Sequence, residues 1–416
     1  MESIRDLPSL SLTDDQWVTL RDLKLEHQLQ TQPPSVVFCT KCVLSNQRPR
    51  VTFDEHGVCS ACNYWIAKET IDWEARSQLL AGILEEHRSQ SGNYDVVVPG
   101  SGGKDSAYVA HQLKHRWGMN PLTVTWAPHS RTEIGVTNFQ NFVHAGFDNL
   151  TATPNGLLHR KLTLLSTALV GDNFLPFIWG QVSYALHVAK SFGIPLVFFG
   201  ENGEAEYGGN AALAELPGMP IASWAEAYWK GVTPSDLLRI GREIDLVTEE
   251  EEAHASRFYS PPNLEGPAVA PQHFWYGYFT KWLPQENFFY VAQHTGFKAN
   301  PEGRSEGTYS KYASLDDRTD GFHYLFSLLK FGLGRATSDA AHEIREGLIS
   351  REEAIALIQR HEMEFPSRHY DFFLRYSGLA PSQFAGIMDK FRAPHLWRST
   401  GEEWVLRNPI WDEARD

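Results

Sequence analysis

A glycine-rich loop between a short apolar run and a helical pattern most restricts the folds open to this chain. Residues 94–98 (YDVVV) are rich in β-branched side chains and are bounded by turn residues, which predicts a buried parallel strand. Residues 101–106 (SGGKDS) follow at once, and apolar side chains then recur at helical spacing up to Gly118. The order strand, glycine loop, helix brings main-chain N–H groups and the positive end of a helix dipole together. It therefore predicts an α/β domain that binds a phosphate group.

The loop is not a Walker motif, which requires G-x4-G-K-[ST]. Lys104 supplies a compact positive charge, and the end of the strand at 122–126 is expected to border an adenine. The alternative is a tight Gly-Gly turn with an incidental lysine. The candidate nucleotide-binding residues are Ser101, Gly102, Gly103, Lys104, Asp105, Ser106, Ala127 and Gly200.

The surrounding pattern predicts a doubly wound, mostly parallel sheet with helical additions. Further strands are predicted at 122–126, 149–152, 195–199 and 287–292, and helices at 137–145, 156–170 and 182–191. The strand at 195–199 opens into Gly200-Glu201-Asn202-Gly203-Glu204. Carboxylates at the end of a parallel strand suit magnesium or a substrate, although an ordinary acidic turn would look the same.

All four cysteines of the chain lie within 24 residues, in the pattern C-x2-C-x16-C-x2-C. This spacing predicts a structural zinc site, a zinc ribbon, formed by Cys39, Cys42, Cys59 and Cys62. Two disulfides, a redox pair or an iron–sulfur site are the alternatives. If all four thiolates bind metal, no cysteine is left as a nucleophile.

The net charge and the hydropathy of the chain indicate which classes of partner it is expected to bind. With 37 Lys and Arg against 51 Asp and Glu, the net charge is −14, which disfavours binding of nucleic acid through bulk charge. The N-terminal residues show no apolar signal region, and no apolar run reaches the length of a membrane span. We therefore expect a soluble cytoplasmic protein that binds neither a membrane nor nucleic acid.

Residues 300–335 mix glycines, charges and aromatic side chains, which is typical of a loop that closes over a polar ligand, although a solvated loop is the alternative. The run of four glutamates at 249–252 is interpreted as a solvated helix end. The predicted organisation is an extension at 1–36, a zinc ribbon at 37–66, a nucleotide domain at 67–300 with a helical insertion at about 204–285, and a substrate loop with a helical region at 301–416.

Several segments together resemble the N-acetyl sugar amidotransferases of bacterial surface-glycan biosynthesis, which belong to the PP-loop ATP pyrophosphatases. The resemblance runs from about residue 39 to 366, and the first 36 residues are outside it. One departure is Gly100, where a bulkier residue is expected before SGGKDS. The segments are FCTKCVLSNQRPRVTFDEHGVCSACNYW, VPGSGGKDS, FFGENGEAEYGG, HTGFKANPEGRSEGTYSKYASLDDRTDGFHY and KFGLGRATSDAAHEIREG.

The resemblance implies an adenine nucleotide α-hydrolase-like fold and a reaction that uses ATP, Mg²⁺ and a structural Zn²⁺. The family members that it points to convert an N-acetyl group of a diacetamido sugar, such as pseudaminic, legionaminic or diacetamido-uronic acid, into an acetamidino group, as in lipopolysaccharide O-antigen. Lys104, Asp105 and Glu201 would be catalytic. The implied substrate-binding residues are Asn202, Glu204, Tyr207, Arg304, Tyr309, Lys311, Asp316, Asp317 and Arg335.

The assignment of all four cysteines to metal bears on the nitrogen source and on the alternative functions. With every thiol assigned to metal, we expect no glutaminase activity in this chain. The nitrogen would come from a separate glutaminase partner, with or without a channel protein, or from free ammonia. A tRNA-modifying PP-loop thiolase is the alternative enzyme, but it commonly needs a further cysteine or an iron–sulfur cluster and a basic surface. A nucleotide-sensing scaffold without catalysis is the third possibility.

Overall fold

The computed structural model describes residues 7–265 and 270–413, and it is organised by a parallel sheet. The parts of the predicted N-terminal extension, insertion and C-terminal region at 1–6, 266–269 and 414–416 are outside the described residues. The strands are β1 (Val96–Pro99), β2 (Pro121–Trp126), β3 (Asp148–Ala152), β4 (Leu196–Phe199) and β5 (Gln272–Trp275). They lie in the order β3-β2-β1-β4-β5, and every neighbouring pair is parallel.

Helices cover both faces of this sheet. The helices before β2 are α1 (Asp14–Arg21), α2 (Ser60–Lys68), α3 (Trp73–His87) and α4 (Lys104–His115). Those between β2 and β5 are α5 (Glu133–His144), α6 (Gly156–Val170), α7 (Leu175–Phe192), α8 (Gly203–Glu206), α9 (Ala211–Ala214), α10 (Trp224–Ala227), α11 (Pro234–Glu243) and α12 (Glu249–Ala253). Those after β5 are α13 (Tyr276–Phe279), α14 (Pro284–His294), α15 (Asp320–Phe331), α16 (Arg335–Arg345), α17 (Arg351–His361), α18 (Tyr370–Ser377), α19 (Pro381–Phe391) and α20 (Ile410–Glu413).

The strand side chains alternate between two apolar layers. Val97 and Val197 pack into the layer that contains α6 and α7, whereas Val96, Val98 and Phe198 pack into the layer that contains α3, α4 and α14. Adjacent residues of a strand point to opposite faces, so continuous apolar runs such as 96–98 are required when both faces are buried. The predicted α/β class with a mostly parallel sheet is therefore confirmed.

The predicted last strand at 287–292 is wrong, because these residues lie inside α14. Pro284 stands in the first turn of that helix, and Phe288 and Val291, three residues apart, are buried while Phe289 is exposed. That spacing is helical. The fifth strand is β5, which lies within the residues 204–285 that were predicted to be helical. A small antiparallel pair, Trp397–Ser399 with Trp404–Leu406, lies near the C-terminus.

In the part of the chain that the structure describes, no single helix is long and apolar enough to cross a membrane. The consecutive helices α6 and α7 together have the length and composition of a membrane span, but the chain bends sharply between them.

Candidate functional site

The glycine loop and the acidic turn lie at the point where the strand order reverses. Residues 100–106 follow β1 and residues 200–202 follow β4, and these two strands are paired neighbours. Ligands of open α/β sheets bind at this switch point, outside the carboxyl ends of the strands. The two segments are close together, since a Cβ added to Gly200 would lie 3.6 Å from the Cβ of Asp105.

The loop backbone leaves the N-terminus of α4 open. Gly102 has φ +90°, and a Cβ at this position would lie 2.6 Å from the Phe139 Cα. Gly103 is the N-cap of α4 and, as a glycine, supplies no capping side chain to the first N–H groups of the helix. A Cβ added at Gly103 would have no neighbour within 4 Å. The first N–H groups of α4 are therefore available to an anion, which the helix dipole also favours.

Gly100, where the resemblance leads one to expect a bulkier residue, has a packing role here. A Cβ at Gly100 would lie 2.4 Å from both Cβ and Oγ of Ser106. The Ser106 hydroxyl donates to the Gly103 carbonyl at 3.1 Å, and Thr125 donates to the Gly100 carbonyl at 2.6 Å. The glycine therefore lets the first turn of α4 approach the end of β1.

Three charged side chains meet at the switch point. Lys104 Nζ lies 2.5 and 2.7 Å from the two carboxylate oxygens of Asp105. Burial and the nearby charge of Asp105 raise the pKa of Glu201 to about 7, although Lys104 opposes the shift. Two carboxylates that face the same space fit a magnesium ion, which typically takes one or two carboxylates together with substrate phosphates.

A cleft of about 320 Å³, here called the nucleotide cleft, opens between these segments. Ser101, Gly103, Asp105, Ser106 and Glu201 line its polar end, together with Gly100 and Gly200. Its apolar end contains aromatic side chains that can contact a planar base. These are Trp126, Phe177, Tyr184, Phe198, Phe199, Tyr228 and Trp275.

Three of the predicted nucleotide-binding residues do not line this cleft. Gly102 lies against α5, and Lys104 projects beside Tyr312, with its Nζ 5.7 Å from the centre of that ring. Ala127 is buried and its N–H donates to the Ala152 carbonyl at 2.9 Å. Their roles toward a nucleotide remain predictions.

The C-terminal segment is hydrogen-bonded directly to the glycine loop through Asp316. Ser101 Oγ donates to Asp316 Oδ2 at 2.7 Å, and burial raises the pKa of Asp316. Asp317, by contrast, accepts hydrogen bonds from Ser130 at 2.6 Å and from Thr319 at 2.7 Å, so it holds its own segment in place. The fold thus brings together residues that are more than 200 positions apart in the sequence.

The other predicted substrate residues of this segment each have a protein partner. Arg304 forms a two-point ion pair with Glu364 at 2.6 and 2.8 Å, and Tyr309 donates to Glu343 at 2.8 Å. Arg335 forms an ion pair with Asp339 at 3.0 Å. Lys311 Nζ lies 5.6 Å from the centre of the Phe288 ring. Arg304 alone of these four lines a second cavity.

That second cavity, here called the basin, has a volume of about 600 Å³. It is lined by Arg304, Asp317 and Arg318, with Glu133 at the start of α5 and Arg368 opposite. Its mixed charges suit a polar molecule. Because Asp316 contacts Ser101 and its neighbour Asp317 lines the basin, the basin adjoins the glycine loop.

After Glu201, the acidic turn is held by the fold. Asn202 caps α8 and donates to the Leu213 carbonyl at 2.9 Å, and Glu204 forms a two-point ion pair with Arg50 at 2.5 and 3.0 Å. Tyr207 is different, because its hydroxyl donates to Glu201 Oε1 at 3.3 Å. Of the three predicted substrate residues Asn202, Glu204 and Tyr207, Tyr207 is therefore the one that contacts a residue lining the nucleotide cleft, namely Glu201.

The four cysteines form one buried cluster. Their sulfur atoms all lie within 4.8 Å of one another, with 3.9 Å between Cys39 and Cys62 and 3.7 Å between Cys42 and Cys59. A tetrahedral zinc site with Zn–S bonds of about 2.3 Å has sulfur–sulfur edges of about 3.8 Å, whereas a disulfide is about 2.05 Å. The cluster can therefore bind a metal ion such as zinc, and no cysteine of the chain lies elsewhere.

The predicted ribbon around these cysteines is short. Its antiparallel pairing consists of the single bridges Phe38 to Ser45 and Phe53 to Cys59. Cys59 is the N-cap of α2, and Cys62 lies in the first turn of that helix.

Sequence reasoning did not identify a group of buried polar residues behind the nucleotide cleft. Lys68 forms a buried ion pair with Glu206 at 2.5 Å, and Arg345 donates to the Glu206 carbonyl at 2.7 Å. His342 and Glu346 lie beside them on or next to α16. All of them except Lys68 lie in segments that carry the family resemblance, but a sequence does not show that they meet.

Comparison with known proteins supports a biosynthetic role. Residues 306–409 match the model of a family described as "LPS biosynthesis protein WbpG-like, C-terminal domain". The matched region includes Tyr309, Lys311, Asp316, Asp317 and Arg335. No curated protein matches the chain significantly. The match supports an enzyme of lipopolysaccharide or sugar biosynthesis and specifies no reaction.

Proposed function

We propose that this chain is an ATP-dependent amidotransferase that converts an N-acetyl group of a diacetamido sugar into an acetamidino group. The observation that carries the proposal is an open helix N-terminus at the switch point of a parallel sheet, where Asp105 of the first helical turn and Glu201 after β4 line the same cleft. The C-terminal match to a lipopolysaccharide-biosynthesis family supports a sugar as the acceptor.

The chemistry explains the need for ATP. The oxygen of an amide is a poor leaving group, and transfer of AMP to it corrects this. The amide oxygen bonds to the α-phosphorus while the bond to pyrophosphate breaks, giving an O-adenylyl imidate. Ammonia then forms the new C–N bond, the oxygen leaves as part of AMP, and a proton of the added ammonia passes to AMP or to solvent.

The residues of the nucleotide cleft suit the first half of this reaction. The N–H groups of α4 would hold phosphate oxygens, and the serine hydroxyls would donate to them. The Lys104 ammonium, which lies beside the cleft next to Asp105, would add positive charge near the phosphates. Asp105 and Glu201 would hold a magnesium ion, which supplies positive charge against the phosphates. The four cysteines would bind a structural zinc, which leaves no thiol for a glutaminase reaction. The ammonia would therefore come from a separate glutaminase or from solution.

The test is to incubate the protein with ATP, ammonium chloride and a panel of diacetamido sugars, free and nucleotide-linked. Products are identified by mass spectrometry, and pyrophosphate release is measured in parallel. We expect a product in which NH replaces one amide oxygen, together with AMP and pyrophosphate. Lys104→Ala should abolish turnover and leave the metal content unchanged. Failure of every diacetamido sugar to stimulate pyrophosphate release would refute the proposal.

A further inference from the structure

His342 and Glu346 form a buried polar pair in which three side-chain atoms have no hydrogen-bond partner among the described residues. They lie one helical turn apart, their side chains are 7% and 6% exposed, and Nδ1 of His342 is 3.7 Å from Oε1 of Glu346. That separation is too long for a hydrogen bond. Among the described residues, neither ring nitrogen of His342 nor Oε1 of Glu346 has a hydrogen-bond partner. Buried polar atoms are nearly always paired, so three such atoms together indicate a site for a small polar molecule.

This pair lies directly behind the nucleotide cleft. The His342 ring meets the Tyr207 ring edge to face, with 4.8 Å between the ring centres. The Tyr207 hydroxyl in turn donates to Glu201, which lines the cleft. One aromatic side chain therefore separates the buried pair from the reacting groups.

The nearby charged groups are already matched with one another. Lys68 is paired with Glu206, Lys104 with Asp105, and Arg335 on the same helix with Asp339. Arg345 donates to the Glu206 carbonyl and points at Cys42 Sγ at 3.9 Å, and Glu343 accepts from Tyr309. Among these carboxylates, Glu346 is the one with a buried oxygen, Oε1, that has no hydrogen-bond partner in the described residues.

Burial sets the protonation of the pair. It lowers the pKa of His342, with the charges of Arg345 and Lys68 adding to the effect, so the imidazole is neutral at neutral pH. Burial also raises the pKa of Glu346 to about 7, with Glu206 and Glu343 contributing and Lys68 and Lys104 opposing. A group with a pKa near 7 exchanges protons readily at neutral pH.

We propose that His342 and Glu346 bind ammonium ion and that Glu346 removes its proton, so that ammonia reaches the nucleotide cleft past Tyr207. Ammonium has four N–H donors, and Glu346 Oε1 and the unprotonated nitrogen of His342 are acceptors. On transfer of one proton to Glu346, the nitrogen lone pair becomes free to form the C–N bond, and the proton later returns to solvent. This inference rests on the proposed amidotransfer.

The kinetic test compares wild type, Glu346→Gln and His342→Asn, with exposed Glu352→Gln as the matched control. Acceptor-dependent ATP–pyrophosphate exchange is measured without ammonium, and KM for ammonium chloride is then determined. Both variants should keep the exchange reaction while KM for ammonium rises at least about tenfold, because the interaction with the nitrogen donor alone is lost. An unchanged KM, or a parallel fall in exchange, would overturn the inference. Absence of exchange in wild type would overturn the proposed function itself.

Two further measurements separate proton removal and binding from a structural defect. Hydroxylamine is uncharged at neutral pH and needs no base to remove a proton before it reacts. Glu346→Gln should therefore retain hydroxylamine-dependent turnover while it loses ammonium-dependent turnover. Equal loss with hydroxylamine and with ammonium would count against the proposal. Ammonium chloride should raise the unfolding temperature of wild type and not that of Glu346→Gln, with tetramethylammonium chloride as the salt control. Equal stabilisation of both proteins would also reject the site.

Discussion

Gly102 and Gly103 are neighbours in the glycine loop, but the fold restricts them differently. Gly102 needs a left-handed backbone and has the backbone of α5 against it, whereas Gly103 has an extended backbone with open space around it. The sequence identifies both as loop residues. It does not show which one is required by packing, because Phe139 is 37 positions away.

We predict that Gly102→Ala destabilises the protein, whereas Gly103→Ala does not. A Cβ at Gly102 requires a backbone shift and a strained φ, at a cost of about 1–3 kcal/mol. Thermal unfolding of the two variants without nucleotide measures the difference. Equal unfolding temperatures would mean that α5 does not confine the loop as described.

The sequence predicts the candidate site in part, and the limit is physical. Ser101, Asp105 and Glu201 lie in local motifs whose geometry follows from the strand and helix around them, and the fold brings them together. For Arg304 and Tyr309, the loop composition and the family resemblance predict a contact with substrate. Their partners are Glu364, which follows α17, and Glu343 in α16, and such long-range pairing leaves no trace in local sequence.

At the scale of elements, the part of the chain around the four cysteines, here called the cysteine module, holds the segment that carries Glu201 and Tyr207. The module includes Arg48 and Arg50, between the two cysteine pairs, and α2. Arg48 donates to the Gly208 carbonyl at 2.7 Å, Arg50 pairs with Glu204, and Lys68 at the end of α2 pairs with Glu206. These three anchors lie along residues 204–208, directly after Glu201. The cysteine cluster therefore supports the nucleotide cleft without lining it.

We predict that Arg50→Ala lowers both stability and activity, although Arg50 does not line the nucleotide cleft. Loss of its charged hydrogen bonds to Glu204 should cost about 1.5–3 kcal/mol and loosen the segment. Arg239→Ala is the matched control, since its pair with Glu243 is exposed and worth about 0.3–0.5 kcal/mol.

Chemical denaturation and pyrophosphate release measure the two effects. Because the four cysteines can bind a metal ion such as zinc, treatment with a chelator should reduce turnover in the same way as Arg50→Ala. Full activity of Arg50→Ala, or of the chelator-treated protein, would show that the cysteine module does not support the nucleotide cleft.

The one misplaced strand shows why short apolar runs are ambiguous. Residues 287–292 (NFFYVA) have strand-forming side chains, but Phe288 and Val291 are spaced for one face of a helix, which Pro284 begins. The true fifth strand, QHFW at 272–275, is too short to show an alternating pattern. Its position depends on pairing with β4, which is tertiary information.

At the scale of the whole molecule, the N-terminal segment and the C-terminal helices belong to the same structure as the sheet. Leu20 of α1, Val97 of β1 and Phe326 of α15 lie in one apolar core. Lys330 of α15 forms a fully buried ion pair with Glu26 at 2.5 Å and also donates to the Val170 carbonyl at the end of α6 at 3.1 Å. Three distant parts of the chain thus meet at one buried charge.

We predict that Lys330→Met costs about 3–5 kcal/mol, because it leaves the Glu26 carboxylate buried without a partner. The double variant Lys330→Met, Glu26→Gln should recover most of that loss, since removing both charges also removes the cost of keeping them from water. Denaturant unfolding of the single and double variants forms a double-mutant cycle. Because the pair joins the N-terminal segment to α15, the midpoints measured by intrinsic fluorescence and by circular dichroism should shift together. Additive losses, or a shift in one probe alone, would show that the two ends of the chain unfold separately from the sheet.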